Sequence, residues 1–339
     1  MPNTTQNQVI CQTLNFDPRY HLIRISAESD MKGSMQFGIS VPNFRGDASL
    51  QTFDQLALRA EAIGFDDIWL GDHIILPKTT DVVHPYFPDR HWNGDIPVFE
   101  PFTLMGYLAA ITDRVRIGLG TLVVPYRNPV ETAKMLATAD TLSGGRIILG
   151  IGIGWLREEF EALNVPWKGR GQRTDEYIAL MRELWQNREP SFSGDFYQLP
   201  EGLWFEPQPP AGSIPIWVGG NSPAALRRAA RIGDGWYGVD LTPDEVRDVV
   251  GRLEDELSDQ GRDLAGFSFS ARIDVEIDGE LQAKATEGSA AKVADAVEEY
   301  HAAGLTHFQM ATSPRFSTAE VLEQVDRFAE DVKPLLSIS

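Results

Sequence analysis

The sequence is poor in cysteine, in basic residues and in long apolar runs, and each shortage excludes a class of protein. Cys11 is the single cysteine among 339 residues, so neither a disulfide framework nor a cysteine-based metal site can be built. The 30 basic residues face 49 acidic ones, and the formal charge of −19 repels nucleic-acid phosphates and anionic lipid surfaces. No apolar run approaches the roughly 20 residues that a membrane helix needs. We therefore expect a cytoplasmic protein that binds neither nucleic acid nor membrane.

The first clear strand pattern begins at Met35, and the polar stretch before it has no apolar centre of the kind that signal peptides carry. We interpret residues 1–34 as an N-terminal extension that is peripheral or disordered. Residues 35–339 are predicted to form one domain.

From Met35 onward, short β-branched or aromatic runs alternate with longer helical patterns, which is typical of parallel βαβ units. The predicted strands are 35–41, 65–70, 115–123, 146–151, 214–218, 235–239, 267–275 and 305–312. The predicted helices are 51–63, 101–112, 129–142, 173–187, 222–232, 242–260, 289–303 and 317–336. Eight strands, each with a following helix, favour a closed α/β barrel, the (β/α)8 TIM barrel. An open dinucleotide-binding sheet is disfavoured because its glycine-rich fingerprint is missing from the first turn.

Two long connections, 71–100 and 155–213, interrupt the regular spacing. In such a barrel both leave the carboxyl ends of strands, the face on which active sites are built. We expect them to be insertion segments that shape a binding site.

Asp72 and His73 follow an apolar strand at that same face. An imidazole exchanges a proton near neutral pH, and Asp72 is placed to fix its tautomer or to stabilise its charged form. The alternative interpretation is that Asp72 caps a loop and His73 only packs.

Glycines suggest where a flat ligand and a phosphate would lie. Gly152 and Gly154 leave one face of the fourth strand's end without side chains, although tight packing inside the barrel explains such a pattern equally well. The turn Gly219-Gly220-Asn221 opens a helix and offers backbone N–H groups to an anion, where the alternative is ordinary capping. Gly235 and Trp236 open the next strand, where the ring of Trp236 can wall a ligand.

Arg170 and Arg173 form a local basic cluster in an acidic protein. They are candidates for binding the anionic groups of a cofactor, or else Arg173 pairs with Glu176 on a helix surface. No metal site is predicted, because the six histidines are scattered and no metal-binding spacing is present.

Five segments together carry a resemblance to a known family: 64–73, 114–129, 140–160, 170–185 and 214–237. The chain resembles the luciferase-like monooxygenase superfamily, and in particular its branch of oxidoreductases that depend on coenzyme F420. The resemblance implies a bacterial-luciferase-like (β/α)8 barrel with insertion segments at its carboxyl-end face, and commonly a homodimer. It also implies that His73, with Asp72, exchanges a proton or stabilises charge during hydride transfer.

By the same resemblance, a cofactor ring lies against the backbone of Thr121, Leu122 and Val123, with a non-proline cis peptide expected at Leu122-Val123. The cofactor tail is expected against Gly152, Ile153, Gly154 and Trp155 and against Gly219 to Asn221, near Gly235 and Trp236. The chain departs from the F420-dependent sugar-phosphate dehydrogenases of this family, which carry a glutamate where Trp155 stands. An apolar, aromatic substrate pocket is therefore expected, with four candidate lining residues: Phe44, Trp69, Trp92 and Phe99.

Three functions remain open. The Asp72-His73 pair favours hydride transfer between coenzyme F420 and a small organic substrate. The second is a monooxygenase that uses reduced FMN and O2, and the third is a cofactor-free barrel that binds a phosphorylated metabolite.

Overall fold

A computed structural model of the protein describes residues 35–44, 46–86, 96–279 and 286–338. The predicted N-terminal extension over 1–34, which includes Cys11, and the predicted pocket residue Trp92 lie outside these residues.

Eight parallel strands close into a barrel, as the alternating pattern predicts. They are β1 (Gln36–Ser40), β2 (Asp67–Leu70), β3 (Arg116–Val123), β4 (Ile147–Gly152), β5 (Ile216–Gly219), β6 (Gly235–Val239), β7 (Ser268–Ile277) and β9 (His307–Ala311). Strands β1 to β7 pair in chain order, β9 pairs with both β7 and β1, and this last pairing closes the ring. The prediction of a (β/α)8 barrel is confirmed. The short strand β8 (Thr286–Gly288) was not predicted. It pairs in parallel with the last three residues of β7 and is not part of the ring.

The helices surround the ring of strands. They are α1 (Leu50–Ala62), α2 (Pro101–Ile111), α3 (Pro129–Ser143), α4 (Arg157–Ala162), α5 (Arg170–Gln186), α6 (Pro223–Ile232), α7 (Pro243–Asp259), α8 (Ala290–Ala302) and α9 (Thr318–Arg327). Helix α4 was not predicted and lies inside the 155–213 connection, and α5 begins at Arg170 instead of Arg173. After α9 the predicted helix continues as a π-helical turn, Phe328–Val332, and a 3-10 turn, Lys333–Leu335. Among the described helices, none is long and apolar enough to cross a membrane.

Three helices begin where the sequence places a capping residue before a proline. Asn128 accepts hydrogen bonds from the backbone of Val130 and Glu131, Ser222 accepts one from Ala225, and Thr242 forms a capping box. The proline that follows each cap has no N–H to leave unsatisfied in the first turn, and its fixed φ suits the helix. These caps fix the points at which the chain turns away from the barrel mouth.

The barrel interior is filled by an aromatic layer. Trp69, Trp217 and Tyr237 pack with ring centroids 5.1 Å apart in the Trp69–Trp217 and Trp69–Tyr237 pairs. Gly118 leaves the space into which the Trp69 ring fits, because a β-carbon there would collide with it. This layer forms a closed floor below the carboxyl ends of the strands.

Candidate functional site

A cavity of about 760 Å³ opens at the carboxyl ends of the strands. That volume lies in the range of about 300–1,000 Å³ that is usual for small-molecule sites. Both long connections contribute to its walls, the first through residues 71–73 and 83–86 and the second through Trp155, Trp167, Arg170 and Gly171. The cavity lining includes the following predicted site residues: Phe44, Trp69, Asp72, His73, Thr121, Val123, Gly152, Ile153, Gly154, Trp155, Arg170, Gly219 and Gly220.

His73 lies at the wall of this cavity between two aromatic rings. The centroid of its ring is 5.4 Å from that of Phe44 and 6.2 Å from that of Trp155, and both pairs meet edge to face. His84 continues this wall, with its ring centroid 4.5 Å from that of Trp155. The imidazole therefore faces an apolar, aromatic part of the cavity.

The Nδ1 atom of His73 lies 2.8 Å from Oε2 of Glu159, a fully buried carboxylate on α4. Tyr126 donates its hydroxyl hydrogen to the same oxygen at 3.0 Å. Burial alone would raise the pKa of Glu159, but the hydrogen bond and charge of His73 and the N–H groups of Ile74 and Ile75 together lower it. The histidine thus has an ionised partner.

The sequence suggested that Asp72 orients His73, whereas the partners that the structure gives Asp72 are Arg127 and the backbone of Val123. The side chain of Asp72 is fully buried and forms a bidentate ion pair with Arg127, with both N–O distances at 2.8 Å. Its Oδ2 also accepts a hydrogen bond from the backbone N–H of Val123 at 2.8 Å. Asp72 thereby holds the end of β3 in place.

Thr121 forms part of the cavity floor at a register shift in β3. Between Leu119 and Leu122 the pairing with β4 is interrupted, and the non-proline cis peptide lies at Gly120-Thr121. The expected position of this bond, Leu122-Val123, is therefore wrong. A β-carbon at either Gly152 or Gly219 would lie 2.5 Å from a side-chain atom of Thr121. These two glycines leave space for the side chain of Thr121, so they are not by themselves evidence of a surface on which a cofactor ring lies.

The turn Gly219-Gly220-Asn221 lies at the cavity edge, and two of its N–H groups already have partners. The N–H of Gly220 donates to the carbonyl of Tyr237 at 3.1 Å. The N–H of Asn221 donates to the hydroxyl of Tyr86 at 3.3 Å. Burial raises the pKa of Tyr86, so this hydroxyl is neutral. Tyr86 therefore occupies a point at which the sequence predicted a phosphate.

Cationic side chains line the same region of the cavity. The guanidinium of Arg170 stacks on Trp167 at 3.7 Å from the ring centroid, and burial lowers its pKa. Arg228, which was not predicted, also lines the cavity and pairs with Asp175 at 2.5 Å. Arg173, by contrast, is buried outside the cavity lining, where it donates to the carbonyl of Pro166 at 3.0 Å.

Trp69 lies mainly in the barrel interior, with 2% of its surface exposed. Its indole Nε1 donates to Asp67 at 2.5 Å, and Asp67 also accepts from His307 and Arg116. The charges of His307 and Arg116 lower the pKa of Asp67 in spite of its burial, which acts in the opposite direction. This network fixes the ring that closes the floor of the cavity.

Several predicted residues lie outside the cavity lining. Asn221 uses its side chain to bridge the backbone N–H and C=O of Val239, and Phe99 packs on Phe53 at 4.9 Å between centroids. The others are buried in the barrel or at its rim: Leu122, Gly235 and Trp236. In the described part of the chain, no group of three or more histidine, cysteine, aspartate or glutamate side chains could hold a metal ion.

Known proteins share both the sequence pattern and the fold. An uncharacterised protein of Mycobacterium tuberculosis is 37% identical over 201 residues, which cover 59% of this chain and 69% of that protein. An F420-dependent glucose-6-phosphate dehydrogenase of Amycolatopsis mediterranei is 32% identical over 206 residues, which cover 58% of this chain and 57% of the relative. Among solved structures, an F420-dependent secondary alcohol dehydrogenase in complex with an F420–acetone adduct has the same fold. Its TM-score is 0.73 at 19% identity, and the match covers 89% of this chain and 99% of that one.

A family model described as luciferase-like monooxygenase matches residues 35–278, more than half of the chain. The match covers β1 to β7, and with them His73, Thr121, Glu159 and the β5–α6 turn. The chain belongs to the luciferase-like monooxygenase family.

Proposed function

We propose that the protein is an F420-dependent oxidoreductase that transfers a hydride between coenzyme F420 and a small organic substrate. The observation that carries the proposal is the position of His73. This imidazole lines the cavity at the carboxyl end of β2, and its Nδ1 atom contacts the buried carboxylate of Glu159. A relative 32% identical in sequence is named as an F420-dependent dehydrogenase, which favours this cofactor.

The cavity lining suits a flat ring with an anionic tail. Thr121 and Val123 provide a floor at the end of β3, while Arg170 and Arg228 supply positive charge at the side where α5 and α6 begin. The first turn of α6 adds the favourable end of a helix dipole. The residues present therefore fit the cofactor, with the ring near Thr121 and the anionic groups near Ser222 and the two arginines.

Coenzyme F420 would supply the two-electron hydride chemistry, and the protein residues would position the substrate and move its proton. His73 is suited to accept the proton of an alcohol, or to donate one to a carbonyl, in the reverse direction. Phe44 and Trp155 exclude water from one side of the imidazole, so that the exchange takes place in a largely apolar surrounding.

The aromatic wall also favours a substrate class. Phe44 and Trp155 flank the imidazole, His84 packs on Trp155, and position 155 supplies no carboxylic acid. We therefore propose a neutral alcohol or ketone with an apolar or aromatic flank as the substrate, in preference to a sugar phosphate.

A second candidate is a monooxygenase that binds reduced FMN and uses O2. The family description and the apolar lining around His73 support it, and FMN also carries a flat ring and a phosphate. The two proposals share the cavity and differ in the cofactor.

The proposed reaction is tested by mixing purified protein with reduced F420 and a panel of neutral aryl and alkyl ketones, while the F420 absorbance is followed. We expect oxidation of F420 with at least one ketone, and a decrease of about 10²- to 10⁴-fold in the rate for His73→Gln. If the His73→Gln variant turns over like the wild type, His73 has no role in the reaction.

From the family resemblance we also propose a homodimer. Light scattering of the purified protein would give twice the monomer mass of 37.7 kDa, whereas the monomer mass would refute the dimer.

A further inference from the structure

Glu159 is fully buried, and its two oxygens have separate sets of donors. Oε1 accepts hydrogen bonds from the backbone N–H groups of Ile74 at 2.8 Å and Ile75 at 3.2 Å. Oε2 accepts from the hydroxyl of Tyr126 at 3.0 Å and contacts Nδ1 of His73 at 2.8 Å. The carboxylate therefore joins α4 to the segment that directly follows β2.

The chemistry of these partners decides which ring nitrogen of His73 carries the hydrogen. An ionised carboxylate only accepts hydrogen bonds, so Nδ1 must be the donor in this contact. Burial, with the charge of Glu159 second, raises the pKa of Tyr126 well above its usual range. The hydroxyl of Tyr126 therefore stays protonated and donates a hydrogen bond to Glu159. Tyr126 does not supply a proton to His73.

We propose that Glu159 is a positioning residue, which holds His73 as the Nδ1–H tautomer and reserves Nε2 for proton exchange with the substrate. The inference rests on the proposed function in that His73 exchanges a proton during the reaction. When an alcohol is oxidised, Nε2 takes the hydroxyl proton. The carbon–hydrogen bond would break as the carbonyl forms, and the hydride with its electron pair would pass to coenzyme F420, the acceptor that the proposed function supplies. The imidazolium that results is stabilised by the carboxylate of Glu159.

The substitution Glu159→Gln tests this tautomer with almost no change in shape. The oxygen of the introduced amide would stay with Ile74 and Ile75, since these N–H groups need an acceptor. The amide NH₂ would then face His73 and Tyr126 and donate to Nδ1. The histidine would have to become the Nε2–H tautomer, which offers the substrate a donor where the wild type offers an acceptor.

The readout is the ¹⁵N spectrum of histidine side chains in the full-length protein above about pH 8, where an ordinary imidazole is neutral. The signals of His73 are identified by their loss in His73→Gln. We expect a protonated Nδ1 and an unprotonated Nε2 in the wild type, and the reverse pattern in Glu159→Gln. A matched control is Glu158→Gln, the neighbouring position, whose side chain accepts from Thr80 at 2.6 Å and should leave the pattern unchanged.

Two results would overturn the inference: an Nε2–H tautomer in the wild type, or an unchanged tautomer in a folded Glu159→Gln variant. The wild-type spectrum decides even where the variant fails to fold. With F420 and an accepted alcohol, Glu159→Gln should lower kcat about 10- to 100-fold and change KM by less than about threefold. Because the spectrum requires no cofactor, a failure to bind F420 would refute the proposed function and leave the tautomer result standing.

Discussion

The side chain of Thr121 occupies the space where any side chain at position 152 would begin. Oγ1 of Thr121 would lie 2.5 Å from a β-carbon placed on Gly152, closer than such atoms approach in folded proteins. Thr121 lines the cavity floor together with Trp69 and Tyr237 of the aromatic layer, and Gly152 leaves the space that the threonine requires there.

Replacing this glycine should therefore disturb the floor. In Gly152→Ala, Thr121 must rotate or move, and we expect a loss of about 1–3 kcal/mol in the free energy of unfolding together with weaker cofactor binding. Denaturant unfolding and a cofactor titration measure the two effects. The double variant Gly152→Ala/Thr121→Ala should recover most of the lost stability. That recovery would show that the loss comes from the contact between the new β-carbon and Thr121.

The matched control is Gly251→Ala. Gly251 lies in α7, with no atom within 4 Å of a β-carbon placed there, so this change should stabilise the helix by about 0.5–1 kcal/mol. An equal loss of stability in Gly152→Ala and Gly251→Ala would show that the contact with Thr121 is not the cause of the loss.

Tyr86 is expected to compete with an anion at the β5–α6 turn. Its hydroxyl accepts the N–H of Asn221, and this hydrogen bond must break before a phosphate can use the same N–H. We expect Tyr86→Phe to tighten the binding of the phosphate-bearing cofactor by about two- to tenfold, the equivalent of one hydrogen bond. Isothermal titration calorimetry measures this change.

Tyr107→Phe provides the control for removing a hydroxyl. The Tyr107 hydroxyl donates to Asp54 and lies outside the cavity lining, so cofactor affinity should not change in that variant. Weaker binding in Tyr86→Phe would mean that the hydroxyl of Tyr86 assists the anion, contrary to our expectation.

Arg127 should be far more important for stability than an arginine on the surface. Arg127→Met would leave the fully buried carboxylate of Asp72 without its ion partner, at a cost of about 3–5 kcal/mol in the free energy of unfolding. Arg157→Met is the comparison, because Arg157 pairs with Glu161 at the surface, where both side chains are 65% exposed. That variant should lose less than about 0.5 kcal/mol in denaturant unfolding. Similar losses in both variants would contradict the buried ion pair.

Asp140 gives the protein a stability penalty that depends on pH. Burial raises its pKa to about 6 in spite of a hydrogen bond from the N–H of Ile147, whereas an unburied aspartate titrates near 3.8. The folded state therefore favours the protonated acid. The penalty is small below about pH 4, grows as the pH rises from about 4 to about 6, and is complete above that.

Asp140→Asn keeps an oxygen for the N–H of Ile147 and removes the charge. We expect it to raise the free energy of unfolding by about 3 kcal/mol near pH 8 and by only about 1 kcal/mol near pH 4.5, since each pKa unit corresponds to about 1.4 kcal/mol. Urea unfolding at the two pH values tests this difference. An equal gain in the free energy of unfolding at both pH values would show that the ionisation of Asp140 is not its cause.

The barrel could be predicted because hydrophobic periodicity and helix caps are local signals. Asn128, Ser222 and Thr242 each precede a proline at a helix start, and the structure has a capping hydrogen bond at all three. Strand β8 and helix α4 were missed because each is short, and tertiary contacts outweigh local propensity in such segments.

The cavity position of His73 could be predicted from its place after an apolar strand, but its partner could not. Glu159 lies 86 residues further along the chain, and no spacing rule connects a carboxylate in a loop helix to a particular imidazole. For the same reason the sequence suggested that Asp72 would contact His73, whereas Arg127 takes this carboxylate. The glycines of β4 were ambiguous because a ligand and a threonine of the same protein require the same space.

The identity of the cofactor is the central claim, and a competition titration tests it most directly. Trp155 and Trp167 line the cavity, so a bound flat ring should quench intrinsic tryptophan fluorescence. Purified protein would be titrated with F420 and with FMN, each alone and then each against the other. We predict saturable quenching by F420 that a tenfold excess of FMN does not reverse. Tighter binding of FMN, with F420 unable to displace it, would contradict the account and favour the monooxygenase.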